Sequence, residues 1–221
     1  MNRLFWVRHG ETLANIIKVF SYEQLDQSLT PKGILQAEQT AEYFKNKQID
    51  GIYSSPLKRA IETAKIIAAP ITLDVVLIEE FLEVNVGEFD GQPMRGEIFS
   101  VHQEIIDDWF HGKFEARFPG GEDYIELWER MRKGYVRIFG DHDNRNVIVV
   151  AHGGGFMYTL KELCRNADSK ILRDAQIHNC SISEIILNIE NERPQGELIS
   201  IGFIEHLYGY AAEVIPGLPA R

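Results

Sequence analysis

Two apolar segments of the sequence each end in a histidine followed by glycine, and this pairing constrains the fold more than any other feature. Residues 3–8 run into His9-Gly10, and residues 146–151 run into His152-Gly153-Gly154. Both segments have the length and apolar character of buried strands. In open α/β sheets, ligands bind beyond the carboxyl ends of the strands. We therefore expect both histidines at one edge of a sheet, where glycine lets other groups approach the backbone closely.

Strands alternate with helices along most of the chain. The predicted strands are 3–8, 51–54, 73–78, 146–151, 181–189 and 198–204, and the predicted helices cover about 31–47, about 56–67 and about 155–165. Thr30-Pro31 is typical of a capped helix start. The alternation predicts an α/β fold, a three-layer α/β/α sandwich around a mostly parallel central sheet. We expect one domain over 1–221, with a helical cap inserted at about 92–140, where the spacing is helical and no strand is clear.

The composition excludes several classes of protein. The 221 residues include 23 Lys and Arg against 33 Asp and Glu, a formal net charge of −10. This charge disfavours nonspecific binding to nucleic acid or anionic membranes, so neither is expected as a partner. The apolar run Leu4–Val7 is too short for a signal peptide, and no stretch approaches the ~20 apolar residues of a membrane span. Two cysteines, Cys164 and Cys180, make no disulfide framework, and a cytoplasmic protein is expected.

Two arginines accompany the strand ends and indicate the kind of ligand. Arg8 directly precedes His9, and Arg59 follows the predicted strand 51–54 at the start of a helix. A guanidinium is always charged, and its planar fork of donors fits phosphate. A helix N-terminus also attracts anions. Each of these residues alone is more commonly structural or solvated, but two histidines and two arginines together favour a site for a dianionic phosphate.

Several motifs in the same order resemble the histidine phosphatase superfamily, also called the phosphoglycerate mutase-like family, and in particular its small phosphatases. The similar segments are 8–12 (RHGET) with Asn15 three residues on, 54–63 (SSPLKRAIET), 82–91 (LEVNVGEFDG), 118–122 (FPGGE), 151–154 (AHGG) and 179–181 (NCS). They span about 8–183, most of the chain. One motif would be weak evidence, whereas all of them in order are highly specific.

The resemblance implies a covalent mechanism. His9 is the implied nucleophile, which attacks phosphorus and forms a phosphohistidine. Arg8, Arg59 and His152 are the groups implied to surround the phosphoryl oxygens. We expect His152 to be cationic beside the bound anion, because a negative neighbour favours the charged imidazole.

The remaining implied site residues act on the substrate. Glu83 matches the family's general acid, which protonates the leaving alkoxide and then deprotonates the attacking water. Asn15 and Gly153 are predicted substrate-binding positions. From the residues alone, Glu83 cannot be told apart from the nearby carboxylates Glu79, Glu80 and Glu88.

The same reasoning predicts no cofactor and no metal. Phosphoryl transfer needs positioning and charge stabilisation, and the positive groups that neutralise phosphate are present as side chains. The expected partner is a small phosphorylated metabolite. A homodimer is an open possibility.

Two other functions on the same fold stay open, a cofactor-dependent phosphoglycerate mutase and a noncatalytic module that binds a phospholigand. The mutases resemble the chain at 57–61, but Phe20 is not followed by their Gly-Trp, and between Gly91 and Phe118 the only proline is Pro93. Loss of a catalytic residue would favour the binding module, and all are present. Trp6 departs from the aliphatic residue that is usual in the family at this strand position, which is expected to alter packing.

The substrate cannot be read from the sequence. The segment 92–140 and the tail 205–221 are predicted to roof the pocket. The aromatic residues of that segment either face a ring-bearing alcohol or form the segment's own core, which we favour; they are Trp109, Phe110, Phe114 and Phe118.

Overall fold

The computed structural model of the chain describes residues 1–168, 171 and 175–215. Its strands are β1 (Asn2–Arg8), β2 (Gly51–Ser54), β3 (Val75–Leu77), β4 (Asn146–Ala151), β5 (Ile182–Glu190) and β6 (Arg193–Phe203). Its α-helices are α1 (Leu13–Ile17), α2 (Pro31–Phe44), α3 (Lys58–Ala68), α4 (Gly96–Phe110), α5 (Tyr124–Phe139) and α6 (Gly153–Leu163). No helix in these described ranges is long and apolar enough to cross a membrane.

All six strands form one sheet in the order β3-β2-β4-β1-β5-β6. β1, β2, β3 and β4 are parallel to their neighbours among themselves, while β5 runs antiparallel to both β1 and β6. In the β1/β4 register, Val7 lies opposite Val150 and Arg8 opposite Ala151. The residues that follow the two strands therefore emerge side by side, and the His9 amide donates to the Ala151 carbonyl at 2.9 Å. The predicted fold class is confirmed.

Helices cover both faces of the sheet, because side chains alternate between the faces along each strand. On β1, Leu4 and Trp6 face a cluster that includes residues of α5 and α6, whereas Phe5 and Val7 face a cluster with residues of α2 and α3. Trp6 is buried and stacks on Phe156, with ring centroids 5.0 Å apart. The aromatic side chain is thus accommodated by a matching ring on α6.

The start of α2 holds the loop that follows β1. Thr30 is the N-cap, as predicted, and its hydroxyl accepts from the Gly33 amide at 3.0 Å. A Cβ built on Gly33 would lie 2.2 Å from the Glu11 carbonyl oxygen, and one on Gly10 would lie 2.6 Å from the Gly33 carbonyl oxygen. Backbone therefore packs on backbone here, which requires glycine on both sides.

The predicted cap at 92–140 is divided by the structure. α5 carries buried Leu127, Met131 and Tyr135 in the same cluster as Leu4 and Trp6, so it belongs to a helical layer of the sandwich. α4 is the part of the segment that reaches the pocket described below. Trp109 and Phe118 are buried in the core and Phe114 packs against it, as the favoured interpretation of the aromatic residues predicts, whereas Phe110 is exposed and that part of the prediction is wrong.

Several boundaries differ from the sequence-based expectation. α6 begins at Gly153, two residues before the predicted start, so Gly153 and Gly154 belong to the helix. α3 begins at Lys58, two residues after Pro56, where the helix was expected to start. β3 is only Val75–Leu77, a short and partly exposed edge strand, and β6 starts five residues before the predicted 198. Of the predicted roof at 205–221, residues 216–221 lie outside the described residues.

Candidate active site

The end of β1 places His9 in a buried position with a defined hydrogen bond. The side chain is 3% exposed, and its Nδ1 lies 2.8 Å from the Gly10 carbonyl oxygen. A carbonyl can only accept, so Nδ1 carries the proton and Nε2 has the lone pair. Arg59 Nε donates to that Nε2 at 3.3 Å. The nitrogen that could attack phosphorus is therefore the one that faces a guanidinium.

The surroundings keep His9 neutral. Burial lowers the pKa of His9 well below its usual value of 6.5, and the positive charges of Arg59 and Arg8 lower it further. The bond to Gly10 acts in the opposite direction and is the smallest of these effects. Because only the neutral imidazole is nucleophilic, this environment favours the reactive form at neutral pH.

Arg59 is fixed in the first turn of α3 and is 2% exposed. Its Nη1 donates to Asp26 Oδ1 at 3.2 Å, and its Nη2 donates to the Ser21 carbonyl at 2.9 Å. Asp26 also accepts from the Lys58 amide at 2.7 Å, so it holds both the side chain and the helix start. The guanidinium is thereby oriented with one edge toward His9.

Arg8 lies beside the same pocket. Its Nη1 donates to the Ile177 carbonyl at 2.5 Å, while its buried Nε has no hydrogen-bond partner among the described residues. Burial lowers the pKa of both Arg8 and Arg59, and the negative charge of Glu83 is the largest effect that opposes this shift. An unpaired buried donor costs free energy, which an anion on Arg8 Nε would offset.

His152 follows β4 and is the N-cap residue of α6. Its ring centroid lies 5.3 Å from that of His9, and its Nε2 lies 2.8 Å from Ser55 Oγ. Burial lowers the pKa of His152 well below 6.5, and Arg59 and His9 lower it further. Without an anion, His152 is therefore neutral at pH 7, and the expected cationic form needs the charge of a bound phosphate.

Glu83 projects onto the N-terminus of α6. Its Oε1 accepts from the amides of Gly155 and Val84, both at 2.9 Å, and its Oε2 accepts from the Gly154 amide at 3.3 Å. Two of these amides are in the first turn of α6, where they have no partner within the helix, so the three bonds fix the orientation of the Glu83 carboxyl group. These contacts separate Glu83 from its neighbours at 79, 80 and 88 in a way that spacing could not.

Asn15 lies on α1 with its side-chain oxygen turned inward. That Oδ1 accepts from the Thr12 amide and from Asn179 Nδ2, both at 3.0 Å. Asn179 Nδ2 also donates to the His9 carbonyl at 3.0 Å. Asn15 is therefore tied to the backbone of His9 through Asn179, and its amide nitrogen is the group that can donate to a ligand.

A cavity of about 380 Å³ brings most of the predicted residues together. Six of them line it, namely Arg8, His9, Asn15, Arg59, Glu83 and Gly153. His152 is not among the lining residues, but its ring packs next to that of His9. The rest of the wall is largely apolar, with Val84, Val86, Met94, Phe99, Met157 and Tyr158. The cavity thus has a cationic floor and an apolar wall.

A second cavity of about 420 Å³ adjoins the first and shares Arg8, Asn15, Met94 and Ile177 with it. Residues Leu207, Ala211 and Val214 of the predicted roof line this second cavity.

Some residues that build the site were not predicted from the sequence. Asp26 and Arg59 are 33 positions apart, and no motif links them. Trp6 donates its Nε1 proton to the His152 carbonyl at 3.1 Å, a role beyond packing. Ser55 was within reach of sequence reasoning, because it directly follows the predicted strand 51–54 at the same sheet edge as the histidines.

Comparison with known proteins agrees with this geometry. The sequence profile of the histidine phosphatase superfamily (branch 1) matches residues 4–201. The chain is 30% identical over 193 residues to "Putative phosphoserine phosphatase 2" of Hydrogenobacter thermophilus, covering 87% of this chain and 92% of the relative. It is 31% identical over 191 residues to "Probable phosphoglycerate mutase" of Erwinia tasmaniensis, covering 84% and 85% of the two chains.

A solved structure is also similar. It is a histidine-to-alanine variant of phosphoserine phosphatase from Entamoeba histolytica in complex with phosphoserine. The TM-score is 0.75 at 26% identity, and the match covers 94% of this chain and all of the other. The predicted resemblance and the prediction of a phosphatase-type enzyme are confirmed: this chain belongs to the histidine phosphatase superfamily, branch 1.

Proposed function

We propose that the chain is a metal-independent phosphatase that hydrolyses a small-molecule phosphomonoester through a phosphohistidine on His9. The observation that carries the proposal is the state of the His9 imidazole. Nδ1 is bonded to the Gly10 carbonyl at 2.8 Å, which leaves the lone pair on Nε2, and His9 lines the cavity together with Arg8, Arg59 and Glu83.

In the first step, His9 Nε2 forms a bond to phosphorus, and the bond from phosphorus to the substrate's ester oxygen breaks. A proton passes from Glu83 to that oxygen, so the alcohol leaves neutral. Arg8 and Arg59, which line the cavity, stabilise the charge on the three other phosphoryl oxygens. His152, whose ring lies next to that of His9, adds a positive charge once the bound anion favours its protonation. The surrounding cations perform the neutralisation that other phosphatases assign to a metal ion.

In the second step, a water molecule attacks phosphorus while Glu83 takes one of its protons. The nitrogen–phosphorus bond breaks, inorganic phosphate forms, and neutral His9 is restored. Glu83 is then protonated again and ready for the next substrate. One carboxylate therefore acts as acid and then as base, which its place beside the cavity allows.

The decisive experiment measures phosphate release in EDTA from p-nitrophenyl phosphate and three alkyl phosphates, namely phosphoserine, 3-phosphoglycerate and benzyl phosphate. We expect release by the wild type, and none above background by His9→Ala. Rapid quenching in alkali should trap labelled phosphate on the wild type only. Release that His9→Ala retains, or that stops on chelation, would contradict the proposal.

A phosphoglycerate mutase is the second candidate, because one relative carries that name. A mutase returns the phosphoryl group to a bound product, so it would convert 3-phosphoglycerate to 2-phosphoglycerate when a bisphosphoglycerate is supplied. Following both phosphoglycerates and free phosphate in one assay separates the two functions. We expect free phosphate to be the main product.

A further inference from the structure

Arg130 of α5 holds the turn that carries Glu83. Its Nη1 donates to the carbonyls of Glu80 at 2.9 Å and Leu82 at 2.8 Å, and its Nη2 donates to the carbonyl of Glu83 at 2.9 Å. One side chain thus binds three carbonyl oxygens within four consecutive residues. These carbonyls belong to the segment that must be fixed if the Glu83 carboxylate is to meet α6.

Glu122 holds Arg130 in turn. Arg130 Nε donates to Glu122 Oε2 at 2.8 Å, and Nη2 donates to Glu122 Oε1 at 2.7 Å. Oε1 also accepts from the Asn85 amide at 2.8 Å. The Glu122 side chain is 8% exposed and that of Arg130 is 21% exposed, so solvent screens this pair only weakly.

The guanidinium has no donor to spare. Arginine has five N–H groups, and the five hydrogen bonds just described use all of them. Such a bidentate, planar arrangement is beyond the reach of lysine, whose ammonium is a point charge on a flexible stem. A surface ion pair without this geometry would contribute little.

We infer that Glu122 and Arg130 are positioning residues for the general acid, which fix the backbone on both sides of Glu83 and thereby aim its carboxylate. This inference rests on the proposed function. Arg130 and Glu122 are not among the residues that line the catalytic cavity, so neither contacts the substrate there. The positive charge of Arg130 also acts on His152, and Arg130→Lys keeps that charge, so this variant tests the contacts with the Glu83 segment.

The leaving group provides the test. An alkoxide needs a proton to leave, whereas p-nitrophenolate leaves readily without one. A displaced acid should therefore slow alkyl phosphates and spare p-nitrophenyl phosphate. kcat/KM reports the first phosphoryl transfer, so the second step, which is common to all substrates, does not obscure the comparison.

The variants are Arg130→Lys and Glu122→Gln, with Glu83→Gln as the reference. The alkyl substrate is the one that the wild type hydrolyses fastest. We expect kcat/KM for that substrate to fall by at least about ten-fold in each variant, since acid catalysis contributes about 10²–10⁴-fold. For p-nitrophenyl phosphate we expect a change of less than about three-fold, as in Glu83→Gln.

Arg132→Lys is the matched control, because Arg132 lies on the same helix, pairs with Glu129 and donates to the Glu192 carbonyl. Arg132→Lys should leave kcat/KM unchanged for both substrates. When Glu83→Gln is already present, adding Arg130→Lys should lower kcat/KM for the alkyl phosphate little further, because Arg130 acts through the Glu83 carboxyl group.

Equal losses on both substrates, or no loss on either, would overturn the inference. If Arg130→Lys unfolds, Glu122→Gln, which is nearly isosteric, carries the same test. If the wild type releases phosphate and only Glu83→Gln slows the alkyl phosphate more than p-nitrophenyl phosphate, the positioning role is contradicted and the proposed function is not. A wild type that releases no phosphate from any substrate contradicts the proposed function itself.

Discussion

The protonation state of His9 depends on two guanidinium groups. Burial and the charges of Arg59 and Arg8 all lower the pKa of His9. We therefore expect its imidazole to titrate below pH 6.5 in an NMR titration of labelled histidine, with the signal assigned by its loss in His9→Ala. Arg59→Gln removes a positive neighbour, so the midpoint should rise. A wild-type midpoint at or above 6.5 would show that the cations do not act on His9.

Much of the residue-scale chemistry follows from the sequence, because Arg8, His9 and Glu83 lie in short continuous motifs. The proton on Nδ1 does not, because it depends on the angle at which the His9 ring meets the Gly10 carbonyl. The pairing of Glu122 with Arg130 does not follow from the sequence either. Arg130 also binds three carbonyl oxygens of a segment about 50 positions away along the chain. Contacts set by tertiary structure leave no signature in local spacing.

At the scale of elements, the N-terminus of α6 receives the Glu83 carboxylate only because glycine occupies its first turn. A Cβ on Gly154 would lie 2.8 Å from Glu83 Oε1, whereas one on Gly155 would meet the same atom at 3.8 Å. We expect Gly154→Ala to lower kcat/KM for alkyl phosphates by about ten-fold or more, because the methyl group would displace Glu83, the proposed general acid.

Gly155→Ala is the comparison for that variant. Both substitutions add a methyl group to the same helical turn and gain similar helix propensity, about 1 kcal/mol. A loss in Gly154→Ala that Gly155→Ala matches would mean that the crowding of Glu83 is not the cause.

The sequence predicted the buried elements more accurately than the exposed ones. β4 spans Asn146–Ala151, the predicted bounds, and its short continuous run of apolar, mostly β-branched residues is typical of a buried strand. β3 lies at the edge of the sheet with Val76 and Leu77 exposed, and it is shorter than predicted because an edge strand has only one neighbour to pair with. The sequence predicts α5 as part of a cap because its helical spacing shows that one face is buried. The spacing does not show that this face packs against the central sheet.

At the scale of the whole molecule, buried histidines connect stability to pH. Burial lowers the pKa of His102 and of His206 to about 4, and it lowers those of His9 and His152 well below 6.5. A histidine with a lowered pKa is neutral in the folded chain and protonated in the unfolded chain between the two pKa values. These histidines therefore do not reduce the free energy of unfolding above about pH 6.5, and they reduce it increasingly as the pH falls toward 4.

His102 offers a specific test, because it packs against the rings of Phe20 and Phe118, with centroids 4.9 Å and 5.4 Å away. We expect His102→Phe to keep this packing and to reduce the loss of stability between pH 7 and pH 5, by on the order of 1.4 kcal/mol per pH unit. Urea unfolding at both pH values measures it. A loss of stability between pH 7 and pH 5 that is the same in His102→Phe as in the wild type would contradict the assignment.

The homodimer, the cytoplasmic location and the single-domain organisation stay predictions from the sequence. The acidic charge of −10 that disfavours nucleic acid and membranes coexists with a cationic cavity floor. Net charge describes the surface as a whole, whereas a few buried cations decide what one pocket binds.

The cavity is built from two unlike sources, and this has a consequence for how such a chain diverges. The groups around the reactive imidazole come from strand ends and the first turn of α3, where the backbone is locked into the sheet and its covering helices. The rest of the lining includes Phe99, His102 and Gln103 of α4, a helix that lies in the segment between β3 and β4. We therefore expect substitutions at these α4 positions to change which substrates fit the cavity while the groups around His9 stay in place.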